Sequence, residues 1–233
     1  MSRGPFDPTF EHLPRVIPVF PLTGVLLLPG GRLPLNVFEP RYLTMTRAVL
    51  AEEYRIVGMI QPREPDPADN RGAGLALRRG EEPPLYRMGC AGRIASFGET
   101  EDGRYMLTLT GLCRFEIAEE MTPLDGYRRV LADYHRFRRD LTDEADTEVD
   151  RSRLMAALKR YFVHREISAD WKAIEAAADD RLITSLAMTC PFAPSERQAL
   201  LEAPTLTERA RTMTLLLEMA VAEDGSGSSD ARN

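Results

Sequence analysis

The sequence predicts an α+β protein, a β-rich half carrying one helix and then a helical half. Two observations predict it. Between Leu13 and about Asp140, short apolar runs of strand length are separated by Gly, Pro and Asp-Gly punctuation, and beyond Asp140 the apolar residues recur at helical spacing instead. Composition supports a folded chain: 43% of the 233 residues are apolar and 28% charged, enough to bury one sizeable core or two small ones.

Residues 1–12 are polar and broken by Pro5 and Pro8, so they are expected to form a flexible arm. Strands are expected at 15–19, 25–28, 32–37, 55–60, 88–97, 105–110, 113–118 and 127–137. The clearest hairpin places Asp102 and Gly103 between two alternating segments, where they supply the positive φ angles of a tight turn. One helix interrupts the strands. Pro40 suits its first position, Tyr42, Met45 and Val49 follow at helical spacing, and Glu39 lies at its amino end. Residues 61–85 are dense in breakers, Pro62, Pro65, Pro67, Pro83 and Pro84 with Gly72, Gly74 and Gly80, and predict a long exposed loop.

Past Asp140 one apolar stripe runs through Val149, Leu154, Leu158 and Tyr161, and a second through Trp171, Ile174, Ala178 and Leu182. Ser195 with Gln198, and Thr205 with Glu208, have the spacing of capping boxes at two further helix starts. The last helix is expected to bury Leu206, Met213, Leu216 and Leu217. Residues 223–233, EDGSGSSDARN, lack apolar side chains and predict a disordered tail. The expected division is therefore an arm at 1–12, a β-rich region at 13–140, a helical region at 141–222 and the tail.

The segment IPVFPLTGVLLLPGGRLPLNVFEPRYLTM, residues 17–45, resembles the opening of the amino-terminal substrate-binding domain of Lon proteases, and especially the stand-alone bacterial proteins built from that domain. Its Pro-x-Phe-Pro-Leu, Pro-Gly, Pro-Leu and Phe-Glu-Pro-Arg-Tyr pieces carry the resemblance. MGCAGRI from Met88, DGRYMLTLTGLCRFEI from Asp102 and Leu-Leu-Glu at 200–202 support it across roughly residues 14–222. The resemblance implies a twisted β pseudobarrel of PUA-like type followed by a helical bundle. It also implies a module that binds unfolded or partly exposed polypeptide, related to the S16 peptidases and associated with proteolysis. An ATP-dependent protease or another protein is the implied companion, and no cofactor is implied. Most of the opening motif also has a structural reading: Pro18, Pro21, Pro29 and Pro34 limit strand pairing, while Phe20, Leu22, Leu26 and Phe38 can fill a core. Glu39 and Arg41 suit an electrostatic lock at the helix start better than a catalytic pair.

Composition narrows the chemistry. Thirty basic against thirty-six acidic residues give a net charge of −6, which opposes diffuse attraction to nucleic acid or anionic lipid. Only Lys159 and Lys172 are lysines, and no Gly-x-x-x-x-Gly-Lys-Ser/Thr occurs, so a P-loop phosphate cradle is absent. Three cysteines at irregular spacing, Cys90, Cys113 and Cys190, do not form a disulfide framework, and a reducing, cytoplasmic compartment is expected. Neither a signal peptide nor a membrane span is expected, because the first twenty residues hold four prolines and no continuous apolar run. His12, His135 and His164 lack metal spacing. His164-Arg165-Glu166 lacks the Pro-Cys-x-x-Cys that a deaminase needs. No nucleophile with its base and oxyanion donors can be assembled, so the chain is expected not to be an enzyme.

Two sets of candidate residues remain. Leu75, Leu77, Leu85 and Tyr86, on the long loop and its return, are candidates for peptide contact, with simple pinning of the loop as the alternative. Arg128, Arg129, Tyr134, Arg136, Arg138 and Arg139 form a basic, aromatic-interleaved stretch that could hold RNA, since PUA-like folds are often associated with RNA. The acidic balance of the whole chain makes nucleic acid the less favoured partner.

Overall fold

A computed structural model describes residues 6–63, 82–142 and 148–227, with side chains to residue 222. The chain divides into two compact units, Met1–Asp143 and Glu144–Asn233.

The first unit is a mixed six-stranded sheet: β1 (Val16–Pro21), β2 (Arg32–Val37), β3 (Ile56–Ile60), β4 (Met88–Glu99), β5 (Tyr105–Leu124) and β6 (Tyr127–Asp133). β1 pairs with β3 in parallel and with β6 antiparallel, β3 with β4, β4 with β5, and β5 with β6, so five strands close into a ring. Closure removes most of the free edge that an open sheet would expose. β2 lies outside the ring, paired with the first half of β5. The core of the ring is Ile17, Val19, Ile94, Leu109, Phe115 and Val130, all buried. α1 (Pro40–Leu50) packs on the sheet through Tyr42, whose ring stacks on Phe20 at 4.0 Å, and Arg47, whose Nε donates to the Tyr105 hydroxyl at 2.7 Å.

Several expected elements change. The strands expected at 105–110 and 113–118 are one 20-residue strand, β5. Its first half serves β2 and β4 and its second half serves β4 and β6. The expected strand at 25–28 is a buried loop instead. Leu26, Leu27 and Leu28 fill the core while the loop backbone bonds to the middle of β5, Gly30 N–H to the Gly111 carbonyl at 2.8 Å and Gly111 N–H to the Gly31 carbonyl at 2.9 Å. A Cβ on Gly111 would overlap the Leu28 carbonyl, so only glycine permits this approach. The last strand stops at Asp133 rather than Phe137. The Asp133 carboxylate accepts from the His135 backbone N–H at 2.9 Å, which turns the chain into a 3-10 helix, His135–Leu141. Phe38 is 61% exposed and is not a core residue.

Residues 6–12 of the expected arm hold a 3-10 turn at Phe10–His12. Asp7 pairs with Arg93 at 2.6 Å and Leu13 is buried, and these contacts fix a segment whose composition alone predicts freedom.

The second unit holds α2 (Arg151–His164), α3 (Trp171–Ala176), α4 (Asp179–Thr189), α5 (Pro194–Glu202) and α6 (Leu206–Gly227). α2, α4 and α5 pack against α6 around Leu154, Leu158, Tyr161, Ile183, Leu200, Met213 and Leu217. The stripe expected from Trp171 to Leu182 is split, because the backbone is extended at Ala177 and Ala178. At the start of α5 the expected Ser195 box shifts by two residues. Pro194 takes the first helical position, and Glu196 accepts from the Ala193 N–H at 2.7 Å. Thr205 caps α6 as its spacing predicts, accepting from Glu208 N–H at 3.1 Å. α6 continues to Gly227, past the expected start of the tail at residue 223.

Candidate functional site

The loop candidates separate. Leu75 and Leu77 lie outside the described residues. Leu85 is buried and bridged to Pro62, and Arg63 N–H to the Pro84 carbonyl and Tyr86 N–H to the Gln61 carbonyl close the neck on either side. Leu85 is therefore not an exposed contact, and Tyr86 is half-buried beside it.

Most of the basic stretch is engaged by internal partners. Arg128 pairs with Glu120 and donates to the Pro83 carbonyl at 2.7 Å, Arg129 donates to the Thr122 carbonyl at 3.1 Å, and Arg136 pairs with Glu116. Arg138 pairs with Glu11 at 2.6 Å and lies over the Phe10 ring at 4.5 Å, while Arg139 is exposed. Tyr134 cannot stack a base. It is buried against Phe115, its hydroxyl donates to the Pro14 carbonyl at 3.0 Å, and burial pushes its ionisation far above the usual phenol range. Of this stretch Tyr134 and Arg138 meet residues 10–13 at a groove of about 330 Å³ that is also lined by Phe10, Leu13, Leu131 and His135. Its charged lining is Arg15 and Arg138 with Glu11 and Asp133, so the cations are matched by as many carboxylates, Arg138 pairing with Glu11.

The thiols are buried at all three positions, Cys90, Cys113 and Cys190. Burial pushes the Cys190 thiol up to about 11, the opposite of an activated nucleophile. Among the described residues no group of three His, Cys, Asp or Glu side chains could hold a metal ion, and no helix is long and apolar enough to cross a membrane.

Large apolar side chains are exposed where β2, the first half of β5 and the second half of β4 project beyond the closed ring, with Met106 and Phe97 on opposite faces, since Phe97 pairs with Leu107 and Gly98 with Met106. Phe38 is 61% exposed, Met106 47% and Phe97 39%. The Phe97 ring meets the buried Tyr105 ring edge-on at 5.0 Å, and the Arg104 guanidinium lies over Phe38 at 5.7 Å. Sequence reasoning assigned Phe38 to the core and did not single out Phe97 or Met106. The alternation of residues 105–110 gives Met106 an outward face, and that was the available signal.

The family model for the ATP-dependent protease La (LON) substrate-binding domain matches residues 16–219. The chain belongs to the Lon substrate-binding domain family. Among curated relatives, "Lon protease 2" of Myxococcus xanthus is 28% identical over 109 residues, 47% of this chain and 12% of the relative. "Lon protease" of Bacillus thuringiensis (strain Al Hakam) is 21% identical over 211 residues, 88% of this chain and 24% of the relative. The chain thus spans a quarter or less of the length of these Lon proteases. Among solved structures, the Lon N-terminal domain protein from Xanthomonas campestris superimposes with a TM-score of 0.55 at 20% identity, covering 89% of this chain and 97% of that one. The N-terminal domain of Mycobacterium avium complex Lon protease gives 0.55 at 15% identity, covering 87% and 98%. These likenesses show the α+β Lon N-domain fold, and the family assignment makes the chain a substrate-binding module.

Proposed function

We propose that the chain is a non-catalytic module that binds unfolded or partly exposed polypeptide, working as an adaptor in protein quality control beside an ATP-dependent protease. The match to a substrate-binding domain across residues 16–219 carries this reading. The exposed Phe38, Phe97 and Met106 support it, because an extended polypeptide is recognised mainly by apolar contact and backbone pairing rather than by a charge pattern. Binding is weak and tolerant of sequence, since an unfolded segment loses conformational entropy when it is ordered. Three free, buried thiols accord with a cytoplasmic setting.

The test is titration of fluorescently labelled β-casein with the full chain, read by anisotropy. Saturable association that survives a rise from about 50 to about 200 mM salt is expected, whereas an RNA-type electrostatic surface would lose affinity steeply over that range. Absence of association sinks the binding reading. Casein cleavage by the purified chain, with or without ATP, overturns its non-catalytic character. Affinity capture with identification of the bound protein decides whether the companion is a protease.

A further inference from the structure

We infer that the outer half of β4 is a docking edge, onto which an extended segment of the bound polypeptide adds as a further strand opposite Phe97 and Glu99. The inference rests on the polypeptide-binding reading above and assigns it a place and a hydrogen-bond pattern.

β4 is paired on both sides only along part of its length. Its bonds to β3 run from Met59↔Cys90 to Ile56↔Arg93 and end with Ile94 N–H donating to the Arg55 carbonyl at 3.0 Å. Beyond that point β4 continues to Glu99 with β5 on one side. No strand pairs with its other side among the described residues.

The direction of the backbone groups follows from the hairpin. Thr100 N–H donates to the Arg104 carbonyl at 3.0 Å, so Thr100 and Arg104 form a bonded pair. Bonded and non-bonded pairs alternate along an antiparallel ladder. Gly98↔Met106 is therefore bonded, and Phe97↔Leu107 and Glu99↔Tyr105 are not. The N–H and C=O of Phe97 and Glu99 thus point away from β5, toward the open side. β2 confirms the phase independently. Pro34 pairs with Thr108, and its missing N–H falls on the outward side of β2, as it must for a proline inside a strand.

The two exposed edges of this projecting sheet are therefore unequal. Pro34 removes an outward donor from β2 and blunts it, whereas 95–99 of β4 contain no proline. Phe97, 39% exposed, offers a ring at the same place. The occupant is an extended segment carrying a large apolar side chain opposite Phe97, with a cationic neighbour favoured by the exposed carboxylates Glu99 and Glu101. The same carboxylates and the net charge of −6 disfavour a second copy of this chain there.

Glu99→Pro in the full chain deletes one outward N–H that the β4–β5 ladder does not use. It should weaken β-casein binding about tenfold, while Glu99→Gln, which keeps that N–H, changes it by about twofold or less. Amide exchange at Phe97 and Glu99 should slow when the wild-type chain is saturated with β-casein, a readout that needs no variant to fold. A folded Glu99→Pro chain with wild-type affinity, or unchanged exchange at both amides, overturns the docking edge while leaving polypeptide binding intact. A wild-type chain that binds no casein removes both. If sedimentation shows a wild-type dimer that Glu99→Pro dissolves with casein affinity unchanged, the edge pairs copies of the chain and the inference is wrong.

Discussion

The two units hold their buried arginines differently. In the sheet unit, Arg114 is buried and matched to a carboxylate, its Nε and one terminal nitrogen reaching the two Asp140 oxygens at 2.9 and 2.7 Å under the face of Phe137. Burial opposes its charge, but the hydrogen bonds and charge of Asp140 outweigh that, and its ionisation moves up. In the helical unit, buried Arg197 is held by carbonyls: Phe192 at 3.0 Å, Met188 at 3.0 Å and Cys190 at 2.8 Å. Arg209 donates to the Leu200 carbonyl at 2.9 Å, and Arg151 donates to the carbonyls of Ile174, Glu175 and Ala177 as well as pairing with Asp179. Carbonyls at helix carboxyl ends lack amide partners and carry partial negative charge, so a helical bundle can host a buried cation with carbonyls alone. The buried arginine of the sheet unit has a full counter-charge in Asp140 instead.

The largest expected effect tests that contrast. Asp140→Ala strands the Arg114 guanidinium in the sheet unit and should cost about 4 kcal/mol by urea unfolding followed by far-UV circular dichroism. Trp171, the sole tryptophan, lies in α3 of the helical unit, and its fluorescence transition should move far less. A shift of equal size in both signals would show that the units unfold together.

Next is Gly111→Ala, which forces the 25–28 loop off β5 and should cost about 3 kcal/mol. Gly98→Ala, with open space around it, should stay within about 0.5 kcal/mol in the same measurement. In the helical unit Arg197→Met leaves three carbonyls to solvent or to one another and should cost about 2 kcal/mol, seen first in Trp171 fluorescence.

The remaining effect is a pH dependence. The buried Cys190 thiol holds its proton up to about 11, whereas an unburied thiol releases it near 9, so the unfolded chain binds fewer protons between those values. Stability from this group is complete below pH 9 and falls as pH rises toward 11, with a slope of about 1.4 kcal/mol per pH unit. Cys190→Ala should remove that component. Thiol labelling at neutral pH should proceed only as fast as the chain opens.

Much of the architecture was legible from residue pattern. Alternation at 32–37 and 105–110 gave strands, Pro40 with Tyr42, Met45 and Val49 gave α1, and Thr205 with Glu208 gave the start of α6. Failures occurred where long-range bonds replaced local ones. Residues 25–28 read as a strand because they are apolar, but their loop's hydrogen bonds go to Gly111, more than eighty residues away. The candidate site was less legible. Leu85 and Tyr134 carry suitable chemistry, but their exposure depends on neighbours distant in sequence, and Phe97 owes its exposure to where β3 ends.

The sequence by itself determined much of the order of strands and helices, the family, and the lack of a P-loop motif, because periodicity and motif are local properties of the chain. Tertiary structure alone decided which arginines are consumed by carboxylates and carbonyls, which apolar side chains stay in water, and which strand edge lacks a partner among the described residues. Burial and pairing depend on what the fold brings alongside each residue, and no local pattern encodes that.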